Sequence, residues 1–135
     1  VTDDELRAIL QAAKTIAVVG CSPRPDRPSH GVARYLQAEG YRVIPVNPGA
    51  SEILAERAYP TLTAAAREHQ IGIVDVFRRS EFAGAVVDEA LAIRPRLIIL
   101  QLGVIDAQAE QRAAAAGVPF LMNHCLAIEH RRLGG

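Results

Sequence analysis

The stretch Thr15-Ile-Ala-Val-Val-Gly20-Cys-Ser-Pro-Arg-Pro-Asp-Arg-Pro-Ser-His-Gly31 decides the fold. An apolar, largely β-branched run stops at Gly20. A polar loop with two arginines and three prolines follows, and a helical pattern opens near Ser29. Strand, glycine turn and helix start together make the front end of a nucleotide-binding βαβ unit. The unbroken apolar run Ile16–Val19 predicts a strand buried on both faces, as in a parallel sheet. The loop is longer than a G-x-G-x-x-G turn and lacks its second and third glycines at that spacing, which argues against an ordinary NAD site.

Working outward, Thr2-x-x-Glu5 reads as a capping box and predicts a helix over 2–13, with Leu6, Ile9, Leu10 and Ala13 on one face. Ser29 is the candidate cap of a second helix that Gly40 ends, and Tyr41–Val46 is the second strand. Ser51–Arg57 is ambiguous between irregular chain and a single helical turn. Ala58–Thr61 reads as a short edge strand, where Pro60 is tolerated. Thr61 or Thr63 caps a short helix. Strands follow at Ile71–Phe77, Leu97–Gln101 and Val118–Met122. Helices follow from Ser80 to Ile93, from Asp106 to Gly117 and over Cys125–Leu133. This alternation predicts an α/β, Rossmann-like doubly wound parallel sheet, one domain over 1–135, with strand order 3-2-1-4-5-6 if Ala58–Thr61 is counted.

Composition narrows the function classes. Half of the 135 residues are apolar, and with three Phe, three Tyr and no Trp the core must be aliphatic. Fifteen acids balance fifteen bases, all but Lys14 arginine, so net charge offers no general attraction to nucleic acid or membrane. A local arginine cluster for phosphate remains compatible with that balance. Cys21 and Cys125 are far apart, and free thiols fit a reducing cytoplasm. No stretch reaches transmembrane length, and the acidic start Thr2-Asp-Asp-Glu5 is unlike a signal peptide.

In an open parallel sheet the ligand crevice lies beyond the carboxyl ends of the strands, where strand order reverses. Here that is the gap between the first strand and the one ending at Phe77. Gly20 permits the turn, Ser22 adds a hydroxyl, and the next helix start supplies unpaired N–H groups. Arg24 and Arg27 can reach phosphate, or be merely solvated. Arg78 sits at the strand end nearest the crevice. Asp75, inside the strand, is expected to pair with a neighbouring arginine. The acid that grips a ribose diol at the end of the second strand of an NAD site is absent: Val46-Asn47-Pro48 stands there. The four histidines are dispersed, and no metal-ligand spacing, Walker motif or G-x-S-x-G occurs. Thiol chemistry at Cys21 or Cys125 would need a base beside the sulfur.

These segments resemble the small, stand-alone CoA-binding proteins of bacteria, which are similar to the N-terminal CoA-binding domain of the succinyl-CoA synthetase α subunit. The resemblance rests on Ile16–Ser29, Gly40–Pro48, Val74–Ser80, Gln101–Asp106 and Met122–Glu129, in that order and spacing. It implies coenzyme A as the ligand. Phosphate groups would lie at Gly20, Cys21, Ser22 and Arg27, and the adenine nucleotide near Asn47 and Pro48. Phe77 and Arg78 would line the crevice. The chain departs from the pattern at Asn123-His124, where relatives usually carry an acid and a base before the cysteine. The synthetase's phosphohistidine belongs to a second domain, so the resemblance implies CoA or acyl-CoA binding without ligase chemistry. A small enzyme using the same crevice, an NAD(P)-binding domain, and an interaction subunit that has lost its ligand are the alternatives.

Overall fold

The computed structural model describes residues 1–134. In chain order the elements are α1 (Asp3–Ala12), β1 (Thr15–Val19), α2 (Pro28–Ala38), β2 (Arg42–Val46), β3 (Glu52–Ile53), β4 (Glu56–Arg57), α3 (Leu62–Glu68), β5 (Ile73–Val76), α4 (Ser80–Ile93), β6 (Leu97–Leu100), α5 (Ala107–Ala116), β7 (Phe120–Leu121) and α6 (Leu126–Arg132). Five strands form one parallel sheet in the order β2-β1-β5-β6-β7.

The alternation of side chains along each strand sorts the core into two layers. Ile16, Val18, Ile73, Leu97 and Ile99 pack under α1, α2 and α6 through Leu6, Leu10, Ala33, Leu36 and Leu126. Ala17, Val19, Val74, Val76, Ile98 and Leu100 pack under α3, α4 and α5 through Leu62, Ala65, Val87, Ala90 and Ala109. Helices cover both faces, which is why the central strands are apolar nearly throughout, Asp75 being the exception.

The helix ends follow local chemistry where one residue suffices. Thr2 Oγ1 accepts from Glu5 N at 3.1 Å, Thr61 Oγ1 from Ala64 N at 3.0 Å, and Asp106 Oδ1 from Ala109 N at 3.0 Å. Gly117 closes α5 in the left-handed region at φ 72°. Ser29 and Ser80 depart from expectation. Each lies inside its helix, with Arg27 and Arg79 at the cap positions, and each hydroxyl instead accepts an amide from a distant loop.

The strand order corrects the expected one. No sixth strand joins the sheet among the described residues: Ala58–Thr61 contributes a single parallel bridge, Tyr59 to Val46. Tyr59 N donates to Pro45 O at 3.0 Å, and Asn47 N donates to Tyr59 O at 2.8 Å. The next rung would need an N–H on Pro45, which faces the same edge and has none. Denied that ladder, the preceding residues pair with each other, as the antiparallel hairpin of β3 and β4. This resolves the ambiguous segment Ser51–Arg57. The two hairpin-turn residues, Leu54 and Ala55, both have positive φ, 54° and 62°. A two-residue turn of that kind favours Asn-Gly, and side chains there are strained. Ala55→Gly is therefore expected to raise the unfolding free energy by about 1 kcal/mol, read from the midpoint of a urea titration.

Candidate functional site

The loops after β1, β5 and β6 converge beyond the carboxyl edge, at the point where the chain winds to opposite sides of β1. They enclose a crevice of about 740 Å³ lined by Gly20, Ser22, Arg24, Arg27, Pro28, Ser29, Phe77–Arg79 and Gln101–Val104. A smaller hollow of about 320 Å³ adjoins it across Arg78, and its walls include Val19, Val46, Pro48, Pro60, Leu62 and Phe82.

Gly20 sets the geometry of this junction. Its φ is +85°, and a Cβ there would run into the carbonyl oxygen of Phe77. Gly20 N donates to Val46 O at 2.8 Å and Phe77 N to Val19 O at 2.8 Å, so β2, β1 and β5 end together. Glycine is required both for the backbone conformation and for the closeness of the neighbouring strand.

The loop after β1 is braced from inside. Ser22 N donates to Ser29 Oγ at 2.9 Å, and Arg24 N to Ser22 Oγ at 3.1 Å. The Ser22 hydroxyl keeps its own proton to donate into the crevice. The first turn of α2 comes to the same place, but Pro28 has no N–H and the amides of His30 and Gly31 donate to Arg27 O at 3.1 and 3.2 Å, which leaves Ser29 N as its amide for a ligand. Arg24 is held by Asp26 at 3.2 Å, whereas Arg27 and Arg78 have no carboxylate partner among the described residues. The Arg78 and Arg79 guanidinium carbons lie 5.7 and 5.1 Å from the Phe82 ring centroid.

The structure gathers six of the eight sequence-predicted site residues onto these two cavities: Gly20, Ser22, Arg27, Phe77 and Arg78 on the larger, Pro48 on the smaller. Asn47 lies between the loops as a brace. Its Nδ2 donates to Cys21 O at 2.9 Å and its Oδ1 accepts from Gly49 N at 2.8 Å, so both ends of the amide are occupied. Cys21 turns its side chain away into the core beneath α1 and α2. Burial, with Asp75 nearby, pushes its thiol up to about 11, so little thiolate exists at neutral pH. Cys125 is buried at the start of α6.

Asp75 corrects a second expectation. It is fully buried, and neither oxygen has a partner, arginine or otherwise. Desolvation pushes its carboxyl up to about 8, so the group is neutral through most of the physiological range. It lies in register with Val18 and Ile99, on the face covered by α2 and α6. Among the described residues the other buried side-chain polar atoms without partners are His30 Nδ1 and Gln101 Oε1. His30 opens α2 and Gln101 follows β6, so all of these lie toward the crevice end of the sheet.

At the start of α6 a row of side chains is linked by polar contacts. His124 Nδ1 donates to Met122 O at 2.7 Å and its Nε2 lies 3.8 Å from Glu129 Oε1. Arg132 holds Glu129 at 2.7 Å and forks onto Asp3 at 2.9 and 2.8 Å, tying α6 to α1.

Ser29, Gln101 and Phe82 line the two cavities although the sequence reading, which placed the loops of the first two at the ligand edge, named none of them as a site residue. Ser29 was read as a cap, because its tie to Ser22 spans seven positions and obeys no local rule. Gln101 did carry a signal, as the polar residue ending an apolar strand at the ligand edge. Phe82 had none: one apolar residue on an amphipathic helix looks like core, yet 44% of it is exposed.

Residues 14–131 match the CoA binding domain family. The chain is 40% identical over 126 residues to the Bacillus subtilis protein YneT, covering 93% of this chain and 92% of that protein. A solved structure from Thermus thermophilus, the cell-free ID.343 protein, superposes with a TM-score of 0.91 at 42% identity, covering 98% of this chain and 99% of that one. A hypothetical protein from Pyrococcus horikoshii gives 0.94 at 34% identity, covering 100% and 94%. The matched span runs from the residue before β1 to the last turn of α6 and so includes every loop that builds the crevice: the chain belongs to the CoA-binding domain family.

Proposed function

We propose that this chain binds coenzyme A, free or acylated, in the crevice at the carboxyl edge of the sheet, and acts as a binding module without chemistry of its own. The observation that carries the reading is the pair of unpaired guanidiniums, Arg27 and Arg78, facing one crevice at the strand-order reversal. The Ser22 hydroxyl and the start of α2 lie beside them. These are phosphate donors, and coenzyme A carries a diphosphate and a 3′-phosphate. The main chain at Gly20–Ser22 and Arg27 would hold phosphate oxygens, with Phe77 and Arg78 as the opposite wall. The hollow between Pro48 and Phe82 has flat apolar walls suited to a purine, with Asn47 holding its rim in place. Both thiols are buried, and that of Cys21 is poorly ionised, which disfavours thiol catalysis or a mixed disulfide with the ligand. The same reading suits a cytoplasmic setting, where coenzyme A and reduced cysteines coexist. No helix among the described residues is long and apolar enough to cross a membrane.

Isothermal titration of ligand-free protein with CoA, dephospho-CoA and NAD tests this. CoA is expected to bind at least about tenfold more tightly than dephospho-CoA, one charge-assisted phosphate contact being worth about that much. Replacing Arg27 and Arg78 together by serine should remove most of the difference. Absence of heat with millimolar CoA would overturn the reading. Turnover of an acyl-CoA by the purified protein would overturn its non-catalytic part.

A further inference from the structure

The cations of this net-neutral chain are unevenly distributed. Among the described residues Arg7, Arg24, Arg42, Arg57, Arg79, Arg112 and Arg132 each pair with a carboxylate. Of the eight that do not, Arg34 and Arg131 line neither depression, Arg131 lying over the Tyr35 ring, and Arg27 and Arg78 line the crevice. Lys14, Arg67, Arg94 and Arg96 line a different depression, at the opposite, amino edge of the sheet. It consists of two lobes of about 440 Å³ each that share Gln70, Ile71 and Arg94. The acid on its wall, Glu68, is engaged by Arg57 at 3.2 Å. His69 is turned to Tyr59, its Nε2 lying 3.1 Å from the hydroxyl.

We propose that this groove is a second binding site, which takes an acidic peptide segment of a partner protein. The four cations stand on three pieces of chain, Arg94 and Arg96 sharing the link between α4 and β6. Lys14 follows α1, Arg67 is in the last turn of α3, Arg94 caps α4, and Arg96 precedes β6. A row of long, flexible arms drawn from different elements suits a ligand whose charges are spread along a chain. The floor selects the class. This edge carries the C-terminal turns of α1, α3 and α4, which present carbonyl oxygens and the negative ends of the helix dipoles. A compact phosphate prefers the amide-rich N-terminal ends. A peptide supplies N–H groups to the carbonyls and carboxylates to the cations. Dipole compensation alone would also place bases at helix ends. It does not account for Arg94, which holds a left-handed backbone at φ 48° where glycine is favoured, with only a 3.4 Å bond from its Nη1 to Ala116 O.

Fluorescence anisotropy of a labelled oligoglutamate peptide on the full chain at low salt tests the assignment. The variant carrying Arg67→Ser, Arg94→Gly and Arg96→Ser is expected to bind about tenfold more weakly, three partly exposed ion pairs summing to about that factor. Arg94→Gly relieves the left-handed residue, so a melting temperature no lower than that of the parent is expected for this single variant and separates lost binding from lost folding. CoA titration should be unchanged in the triple variant, and Arg27→Ser should leave the peptide affinity unchanged, so the two sites succeed or fail independently. Equal affinity for an oligoglutamine peptide, or for the triple variant, would overturn the proposal. Tighter binding of inorganic polyphosphate or a single-stranded oligonucleotide would overturn the assignment to acidic peptide.

Discussion

Asp75→Asn is expected to raise the unfolding free energy by about 4 kcal/mol at pH 7 and to leave it nearly unchanged at about pH 3. The folded carboxyl titrates at about 8 and the unfolded one at the ordinary 3.8, because burial without a partner penalises the charge. Between those values the unfolded chain releases a proton that the folded chain retains. Stability therefore falls as pH rises across that window, by about 1.4 kcal/mol per unit for a single group. Below it both states are protonated and there is no penalty. Above it both are ionised and the full penalty persists. Asparagine keeps the shape and cannot ionise, so its profile should be flatter by one proton across the window. Urea titrations of both proteins from pH 3 to pH 9 check this, and parallel profiles would refute the buried, unpaired carboxyl. The expected gain also marks Asp75 as a residue that folding alone does not favour, set on β5 one residue from its carboxyl end.

The second large effect is at Gly20. Gly20→Ala is expected to cost about 3 kcal/mol or more, since a positive φ and a backbone clash act together. The carbonyl of Phe77 cannot swing aside without breaking the end of β5, whose amide is bound to Val19 O at 2.8 Å. Either the two strand ends separate or the loop after β1 is displaced, and both move Ser22 and Arg27 away from Arg78. CoA affinity should therefore fall by more than tenfold even at temperatures where the variant remains folded. Gly31→Ala, where an added methyl meets nothing within 4 Å, is the matched control and should leave both properties nearly intact. A Gly20→Ala protein with parental stability and affinity would show that the junction can adapt.

Much of the fold was legible because it is written in short-range pattern. Apolar runs over Ile16–Val19 and Leu97–Leu100, and Ile73–Val76 interrupted only by Asp75, mark buried strands, and Thr2, Thr61 and Asp106 mark helix starts through bonds three residues long. The position of the crevice was legible for the same reason: it follows from alternation of strand and helix with one handedness of crossover. The expected sixth strand failed because Tyr59 has a suitable local sequence but a poor neighbour. Pro45 withholds the amide on which the ladder would continue, and only the register of β2 reveals that this amide would point outward. Ser29 was misassigned in the same way: it is a polar residue at a helix start, where a local cap is the natural expectation, and it is used across a gap, by Ser22 N.

By itself, then, the sequence determined a doubly wound α/β chain, the edge at which its loops converge and the glycine turn at Gly20 that opens the loop carrying Ser22 and Arg27. All of these depend on periodicity and turn chemistry within a few residues. Tertiary structure decided the number of strands, the isolation of Asp75, the inward turn of the Cys21 thiol and the gathering of six of the eight cations without a carboxylate partner at the two ends of the sheet. Those depend on which donors, acceptors and charges meet after the strands have paired, and a partner brought from a distant part of the chain leaves no mark on the residues beside it.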